Sequence, residues 1–152
     1  MSSPKEEQLW DAAHQGDVEL VKSLSSDSSV NVNWIGPEKG DTSLHRACRF
    51  GHLEIVKVLL KHPLVDPNAL NTGEVTPFFL ACQEGHVEVV SLLLNNMSAD
   101  INTPKNSQCT PLWIASQEGH LLVVQLVLVS GREVNAKTKS IAVTAWNNKT
   151  AA

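Results

Sequence analysis

The sequence of 152 residues predicts an all-α repeat solenoid, in which similar helical units stack along one axis. The first observation behind this prediction is a segment that occurs at residues 42–52, 76–86 and 110–120, and every copy begins with threonine and ends with Gly-His. The second is the constant spacing of 34 residues between these threonines, which continues to Thr144. A fixed period in the range of about 20–50 residues is typical of repeat architectures.

Composition narrows the classes of partner and compartment. Twelve Lys and Arg residues against sixteen Asp and Glu residues give a net charge of −4, which disfavours a phosphate-binding surface, so we expect no nucleic-acid partner. No apolar run approaches the roughly 18 residues of a membrane span, so we expect no membrane partner. Three cysteines fit neither a disulfide framework nor a C-x-x-C zinc site, which predicts an intracellular location, in the cytoplasm or nucleus.

The chain begins with an N-terminal extension at residues 1–4 and a predicted capping repeat at residues 5–33. Within that repeat, residues 6–15 indicate a short helix, Gly16 a left-handed helix stop, and Asp17 the cap of a second helix. Charged side chains load the first helix, as expected for a terminal unit that faces water. These side chains are Lys5, Glu6, Glu7 and Asp11.

The second and third units are predicted at residues 34–68 and 69–102. Each is expected to contain a helix that runs from its threonine to its Gly-His pair, followed by a second helix. Pro77 strengthens the start signal of the third unit, because proline is well tolerated at the first helical position. The second helices are expected at residues 52–61 and 87–95.

The fourth unit, predicted at residues 103–135, ends in an unusually apolar helix. Leu122 stands where the earlier units carry glutamate, and Val129 stands where the third unit carries asparagine. Seven residues separate these positions, so they share one helix face, and a helix that is apolar nearly all round is normally covered. Residues 136–152 are predicted to begin a partial fifth repeat, inside which the sequence ends.

The copies resemble the ankyrin repeat, whose pattern T-P-L-H-x-A-A-x-x-G-H-x-x-V-V-x-L-L-L is followed by a loop that ends in V-N. The resemblance covers roughly residues 5–150. It implies stacked helix-turn-helix units joined by β-hairpin-like loops, with proteins bound along a concave groove formed by the first helices and the hairpin tips. The matching residues are Thr42, Leu44, His45, Ala47, Gly51, His52, Val56, Leu59 and Leu60; Thr76, Pro77, Ala81, Gly85, His86, Val90, Leu93 and Leu94; and Thr110, Pro111, Leu112, Ala115, Gly119, His120 and Val124.

Residue types that recur at one position of every unit are predicted to serve the fold. His52, His86 and His120 follow the helix-stop glycine, which argues against metal binding, because metal ligands must converge on one point. Small side chains recur where helices approach closely, and asparagines recur where their amides can satisfy loop backbone groups. The small residues are Ala13, Cys48, Cys82 and Ser116, and the asparagines are Asn33, Asn68, Asn102 and Asn135.

Catalytic motifs are absent from the sequence, which contains no nucleophile elbow, P-loop, dinucleotide fingerprint or H-E-x-x-H pattern. A thin solenoid also offers a groove rather than a pocket with converging titratable groups. We therefore expect no enzyme activity, no cofactor and no metal site. Cys109 is the one candidate for an exposed thiol, although packing is the better interpretation.

Positions that vary between units while their neighbours stay fixed are free to specify a protein partner. Arg46, Arg49 and Phe50 are the strongest candidates, since arginine and aromatic side chains are favoured at binding hot spots. Alternatively, the two arginines pair with Glu84 in a solvated surface network. The complete set of candidate partner-binding residues is Asp41, Arg46, Arg49, Phe50, Val75, Leu80, Gln83, Glu84, Cys109, Trp113, Ile114, Gln117 and Glu118.

An aromatic series leaves a second alternative open. Trp10, His45, Phe79 and Trp113 occupy one position in four successive units, and the large rings depart from the histidine of the family pattern. The series forms either an apolar stripe for a ligand or a set of rings packed against the hairpin loops.

Three hypotheses about function follow. The first is a non-catalytic protein–protein interaction module, an adaptor or a regulator, that binds a protein partner. The second is the N-terminal recognition region of a longer ankyrin protein, for example an enzyme, and it is motivated by the end inside the fifth unit and by the apolar face at Leu122 and Val129. The third is self-association through the uncapped C-terminal end.

Overall fold

The fold is known from a computed structural model that describes residues 4–105 and 109–134 together with Thr144, Asn147 and Asn148. Within 4–105 and 109–134 the chain forms eight α-helices and no strand, which confirms the predicted all-α repeat solenoid. The partial fifth repeat predicted at residues 136–152 lies outside the described residues, apart from the three just named. The helices are α1 (Lys5–Gln15), α2 (Val18–Ser25), α3 (Ser43–Phe50), α4 (Leu53–Lys61), α5 (Pro77–Glu84), α6 (Val87–Asn95), α7 (Pro111–Glu118) and α8 (Leu121–Val129).

The threonines start the first helices as predicted. Thr42, Thr76 and Thr110 each accept a hydrogen bond on Oγ1 from the backbone N–H three residues later, at 3.4, 3.2 and 3.2 Å. Such a cap stabilises a helix by about 1 kcal/mol, because it satisfies a backbone donor that has no partner inside the helix. Three local contacts of one kind therefore set the beginnings of α3, α5 and α7.

Glycines end the first helices, and the histidines that follow them link neighbouring helix pairs. The four glycines adopt left-handed φ angles of 84°, 72°, 78° and 80°. The Nε2–H of each histidine donates to a backbone carbonyl of the preceding pair at 2.8–2.9 Å. This contact confirms the structural role predicted for the histidines. The glycines are Gly16, Gly51, Gly85 and Gly119, and the bonds join His52 to His14, His86 to Arg49, and His120 to Gln83.

Replacing Gly51 with alanine is expected to destabilise the stack beyond the cost of its backbone angle. A Cβ at Gly51 would lie 2.6 Å from Nδ1 of His86. The left-handed angle costs about 1–2 kcal/mol for a residue with a Cβ, and the displaced His86 bond adds roughly 1 kcal/mol. Gly131 is the matched control, because its φ is 75° and a Cβ there meets nothing within 4 Å. Urea unfolding that gives equal losses for both variants would contradict the proposed histidine link.

The helices pack in two rows, with first helices against first helices and second helices against second helices. Contacts join α1 to α3, α3 to α5 and α5 to α7 in one row, and α2 to α4, α4 to α6 and α6 to α8 in the other. Ala13, Cys48, Cys82 and Ser116 are fully buried in the first row, which confirms their predicted place in the core. Burial raises the pKa of the Cys48 and Cys82 thiols, so both remain protonated and unreactive.

Asparagine side chains connect the ends of successive helix pairs. The Nδ2 of Asn33 donates to the Leu64 carbonyl at 2.6 Å, and its Oδ1 accepts from the Asp66 N–H at 2.8 Å. Asn68 repeats both bonds with Ser98 and Asp100, at 2.7 Å each. The predicted use of these amides is confirmed, and the structure adds that the backbone groups they satisfy belong to the next helix pair.

The connections between pairs form hairpin-like loops, each closed by one backbone hydrogen bond. The first loop runs from Gly36 to Asp41, with the Gly36 N–H donating to the Asp41 carbonyl at 3.0 Å. The second runs from Asn71 to Val75, and the bond between them is 3.2 Å long. In the third, the Lys105 N–H donates to the Cys109 carbonyl at 2.9 Å. The first two loops lie beside the first helices, since Lys39 and Thr72 line one pocket together with Arg49 and Gln83.

The second row ends in α8, whose outer face is exposed. Leu122 and Val129 expose 67% and 71% of their surface, so no described residue covers the apolar face that the sequence predicted. The longest helix of the described residues, α1, has 11 residues, and none of the described helices is suited to crossing a bilayer.

Candidate functional site

The candidate partner-binding residues divide sharply by exposure. Five of the thirteen side chains are buried, four are half-buried and four are exposed. The buried group can hold other side chains in place but offers little surface of its own. The buried residues are Asp41, Arg46, Val75, Leu80 and Ile114; the half-buried ones are Arg49, Gln83, Cys109 and Trp113; the exposed ones are Phe50, Glu84, Gln117 and Glu118.

Arg46 joins the first helix pair to the first loop. Its guanidinium lies 3.6 Å above the centre of the Trp10 ring. Nη1 donates to Nδ1 of His14 at 2.7 Å, and Nη2 donates to the Glu38 carboxylate at 2.6 Å. Its Nε is buried without a hydrogen-bond partner among the described residues. With only 6% of its surface exposed, Arg46 acts mainly as a structural link.

Arg49 belongs to a second polar cluster, centred on a buried carboxylate. Its Nη2 donates to Oδ2 of Asp41 at 2.9 Å, and the Asn71 amide donates to Oδ1 of Asp41 at 2.7 Å. The alternative in which Arg46 and Arg49 pair with Glu84 is therefore wrong. The first loop folds back beside α3, so each arginine meets the carboxylate that stands eight residues before it in the chain.

The aromatic series packs against the loops at its first two positions. The indole Nε1–H of Trp10 donates to the Asp41 carbonyl at 2.8 Å, and the fully buried His45 donates from Nε2 to the Val75 carbonyl at 3.0 Å. Both carbonyls immediately precede a helix-capping threonine. Phe79 is also buried, whereas Trp113 is half-buried. The packing interpretation is confirmed for Trp10 and His45, whereas Trp113 keeps part of its surface exposed.

Protonation of His45 is expected to destabilise the fold. Burial lowers the pKa of His45, although its bond to the Val75 carbonyl and the charge of Asp41 oppose this shift. Its Nδ1 accepts from the Thr42 N–H at 3.2 Å, which requires a neutral ring. In the unfolded chain histidine binds a proton below about pH 6.5, so the free energy of unfolding should fall as the pH drops through that value. Urea titrations should show a smaller fall for His45→Gln; identical pH dependence would contradict this assignment.

Phe50 and its neighbours form the exposed aromatic end of α3. The Phe50 ring is 42% exposed and meets the His14 ring edge to face, with 4.4 Å between the ring centroids. The His52 ring is also near, with a centroid distance of 6.4 Å and a tilt of 31°. An exposed aromatic ring that packs against the His14 ring offers apolar contact area at a small cost in conformational entropy.

A pocket of about 300 Å³ lies between the loops and the first helices. It contains four predicted site residues, Arg49, Val75, Leu80 and Gln83, and two basic residues that sequence reasoning missed, Lys39 and Lys105. The missed residues stand in the predicted loops, but only the stacking of those loops brings them together. The remaining lining residues are Asn71, Thr72, Gly73 and Phe79.

Cys109, the sequence's one candidate for an exposed thiol, is half-buried. Partial burial raises the pKa of the Cys109 thiol, although the nearby Lys105 ammonium opposes the shift. Among the residues that the structure describes, histidine, cysteine and acidic side chains nowhere gather in a group of three that could hold a metal ion.

Paired helices with threonine caps, histidine links and asparagine links define this chain as a helical repeat protein. Two family models, both describing ankyrin repeats, match residues 9–60 and 63–138. The chain therefore belongs to the ankyrin repeat family. A curated human relative, ankyrin repeat and SOCS box protein 3, is 38% identical over 72 residues. That match spans 47% of this chain and 14% of the relative's length.

Proposed function

We propose that this chain is a non-catalytic adaptor or regulator that holds a protein partner on its loop-side surface. By loop-side surface we mean the exposed residues of the first helices together with the loops at residues 36–41 and 71–75 and with Lys105 and Cys109. Ankyrin repeats are modules of the protein–protein interaction type. We expect neither nucleic acid nor a membrane as the partner, and we place the protein in the cytoplasm or nucleus.

The proposal is supported by a difference between two sets of residues on the first helices, those that recur in every copy and those that vary. On α7, Thr110 caps the helix, Ala115 is buried in the core and Gly119 ends the helix. On the same helix Trp113 is half-buried and Glu118 is exposed. Residues that recur in every copy thus cap the helix or pack in the core, whereas several variable residues beside them are exposed to solvent.

The test compares two double variants in capture experiments. Phe50→Ala/Gln83→Ala removes one aromatic and one amide side chain from the loop-side surface, while Leu122→Ala/Gln125→Ala removes one apolar and one amide side chain from α8. All four side chains are exposed or half-buried, so both proteins should remain folded. Loss of a hot-spot side chain costs more than about 1 kcal/mol, so we expect the first variant to bind captured partners at least about fivefold more weakly.

The control defines the outcome that overturns the proposal. Leu122→Ala/Gln125→Ala should retain the same partners at nearly unchanged affinity. If that variant loses them and Phe50→Ala/Gln83→Ala does not, the binding surface lies on α8 instead. The triple alanine change at Arg46, Arg49 and Phe50 is unsuitable as a test, because it also breaks two ion pairs within the fold.

A second candidate function is recognition within a longer chain, with the repeats as one part of it. The exposed apolar side chains of Leu122 and Val129 on α8 favour it, since a further element or a second copy of the chain would cover them. An in-frame continuation of the transcript past Ala152 supports the longer chain, and a stop codon there removes it. A concentration-independent monomer in sedimentation counts against self-association through this end.

A further inference from the structure

The pocket between the loops carries an excess of positive charge on a chain that is acidic as a whole. Three of its lining residues, Lys39, Arg49 and Lys105, are basic, and its lining includes no acidic residue. They come from the first loop, from α3 and from the third loop. The chain as a whole has a net charge of −4, so this concentration of positive charge runs against the average composition.

The charge of the pocket is only partly balanced within the protein. Asp41 pairs with Arg49 at 2.9 Å, so a buried carboxylate offsets the charge of one of the three lining cations. Among the described residues neither Lys39 nor Lys105 takes part in an ion pair. Both lysines are exposed. An incoming anion can therefore approach them without breaking an ion pair inside the described structure.

The supporting residues hold this arrangement in place before a ligand arrives. Asp41 accepts one hydrogen bond on each carboxylate oxygen, from Arg49 and from Asn71, which fixes the position of the guanidinium. The carbonyl of Lys39 accepts from both N–H and Oγ1 of Thr72, at 2.9 and 2.7 Å. The first two loops are thus tied together at their tips. The Arg49 guanidinium, held in this way, loses little conformational entropy when a ligand binds.

The floor of the pocket favours an amino acid side chain over a bare inorganic anion. Val75, Phe79 and Leu80 line it and are otherwise buried. A glutamate or aspartate side chain places methylene groups against such a floor while its carboxylate reaches the lysines. Three basic residues in one pocket make no extended stripe of the kind that a phosphodiester backbone requires.

We propose that an aspartate or glutamate side chain of the protein partner enters the pocket formed by Lys39, Arg49 and Lys105. This inference rests on the proposed function, because it specifies the chemistry of the partner segment that the loop-side surface binds. The lysines provide the charge that attracts the segment, and the Arg49–Asp41–Asn71 cluster provides a guanidinium that is held in place in the pocket lining.

The test screens a display library of short unphosphorylated peptides of random sequence for binding to the 152-residue chain. We expect the enriched peptides to share an aspartate or glutamate at one position. An enriched peptide is then measured against Lys39→Gln/Lys105→Gln and against Lys57→Gln/Lys61→Gln, which removes the same charge from α4. Loss of two charge contacts should weaken binding about tenfold for the first variant, while the second stays close to the wild type.

A peptide in which the shared acid is changed to its amide completes the experiment. It should bind the wild type about tenfold more weakly and should not distinguish the wild type from Lys39→Gln/Lys105→Gln. Equal weakening by both lysine pairs, or selection without an acidic preference, overturns the inference. Displacement by inorganic phosphate but not by acetate also overturns it, and assigns the pocket to a phosphorylated ligand.

The proposed function can survive this failure. Peptides without an acidic preference that still bind more weakly to Phe50→Ala would keep the loop-side surface as the binding site. Peptides that respond only to Leu122→Ala/Gln125→Ala would overturn both the acidic pocket and the loop-side surface.

Discussion

Replacing Trp10 with alanine is expected to lower the free energy of unfolding by about 3–5 kcal/mol, as for other large aromatic residues removed from a core. The indole is 5% exposed, donates to the Asp41 carbonyl and supports the Arg46 guanidinium. It also lies against Gly36, where an added Cβ would overlap the ring. The variant therefore weakens the contact between the first helix pair and the first loop. Unfolding in guanidinium chloride measures the resulting loss in the free energy of unfolding.

Trp10→Phe separates the hydrogen bond from the packing. It keeps most of the ring volume but loses the indole donor, so a loss of roughly 1–2 kcal/mol is expected. Trp34, which meets the Trp10 ring edge to face at a centroid distance of 6.4 Å, is only half-buried. If Trp10→Ala proved no more harmful than Trp34→Ala, the proposed role of the indole between the first pair and the first loop would be wrong.

Replacing Asp41 with alanine is the second change with a large expected effect. Asp41 is 1% exposed, and its loss leaves the half-buried Arg49 guanidinium and the buried Asn71 amide without their shared acceptor. Removing one partner of a buried ion pair costs about 3–5 kcal/mol, and the remaining exposure of Arg49 places this variant near the lower end. Thermal or chemical unfolding measures the loss directly.

The variant Asp11→Ala provides the matched control for this prediction, because it also removes an aspartate carboxylate, but from an exposed position on α1. Asp11→Ala should change the stability by less than about 0.5 kcal/mol. A similarly small effect of Asp41→Ala would show that the buried cluster contributes little to the fold. The same result would weaken the argument that Arg49 is held in place for binding.

The fold was largely predictable because its signals are local and repeated. A threonine that begins a helix and a glycine that ends it are recognised within a few residues, and four copies of the stop signal place the helix pairs in register. The structural role of His86 was predictable for the same reason, since its equivalents stand at one position of successive copies. Its acceptor, the Arg49 carbonyl of the preceding pair, was visible only in the structure.

The site was less predictable because it depends on how loops fold back and stack. Variation between copies identified Phe50 and Glu84, which are exposed, but it also selected Leu80 and Ile114, which are buried. Core positions can vary as well, since each interface between pairs needs only complementary shapes. The proximity of Lys39 to Lys105 had no signal in the sequence, because 66 residues separate them and the stacking of three loops brings them to one pocket.

The central claim is that repeated residues build the stack while exposed variable residues on the loop side bind a protein. Photocrosslinking tests it most directly, with a benzophenone amino acid placed at either Phe50 or Leu122, which expose 42% and 67% of their surface. The account predicts that a captured protein crosslinks from the position of Phe50 and not from that of Leu122. Crosslinking from the position of Leu122 alone would contradict it.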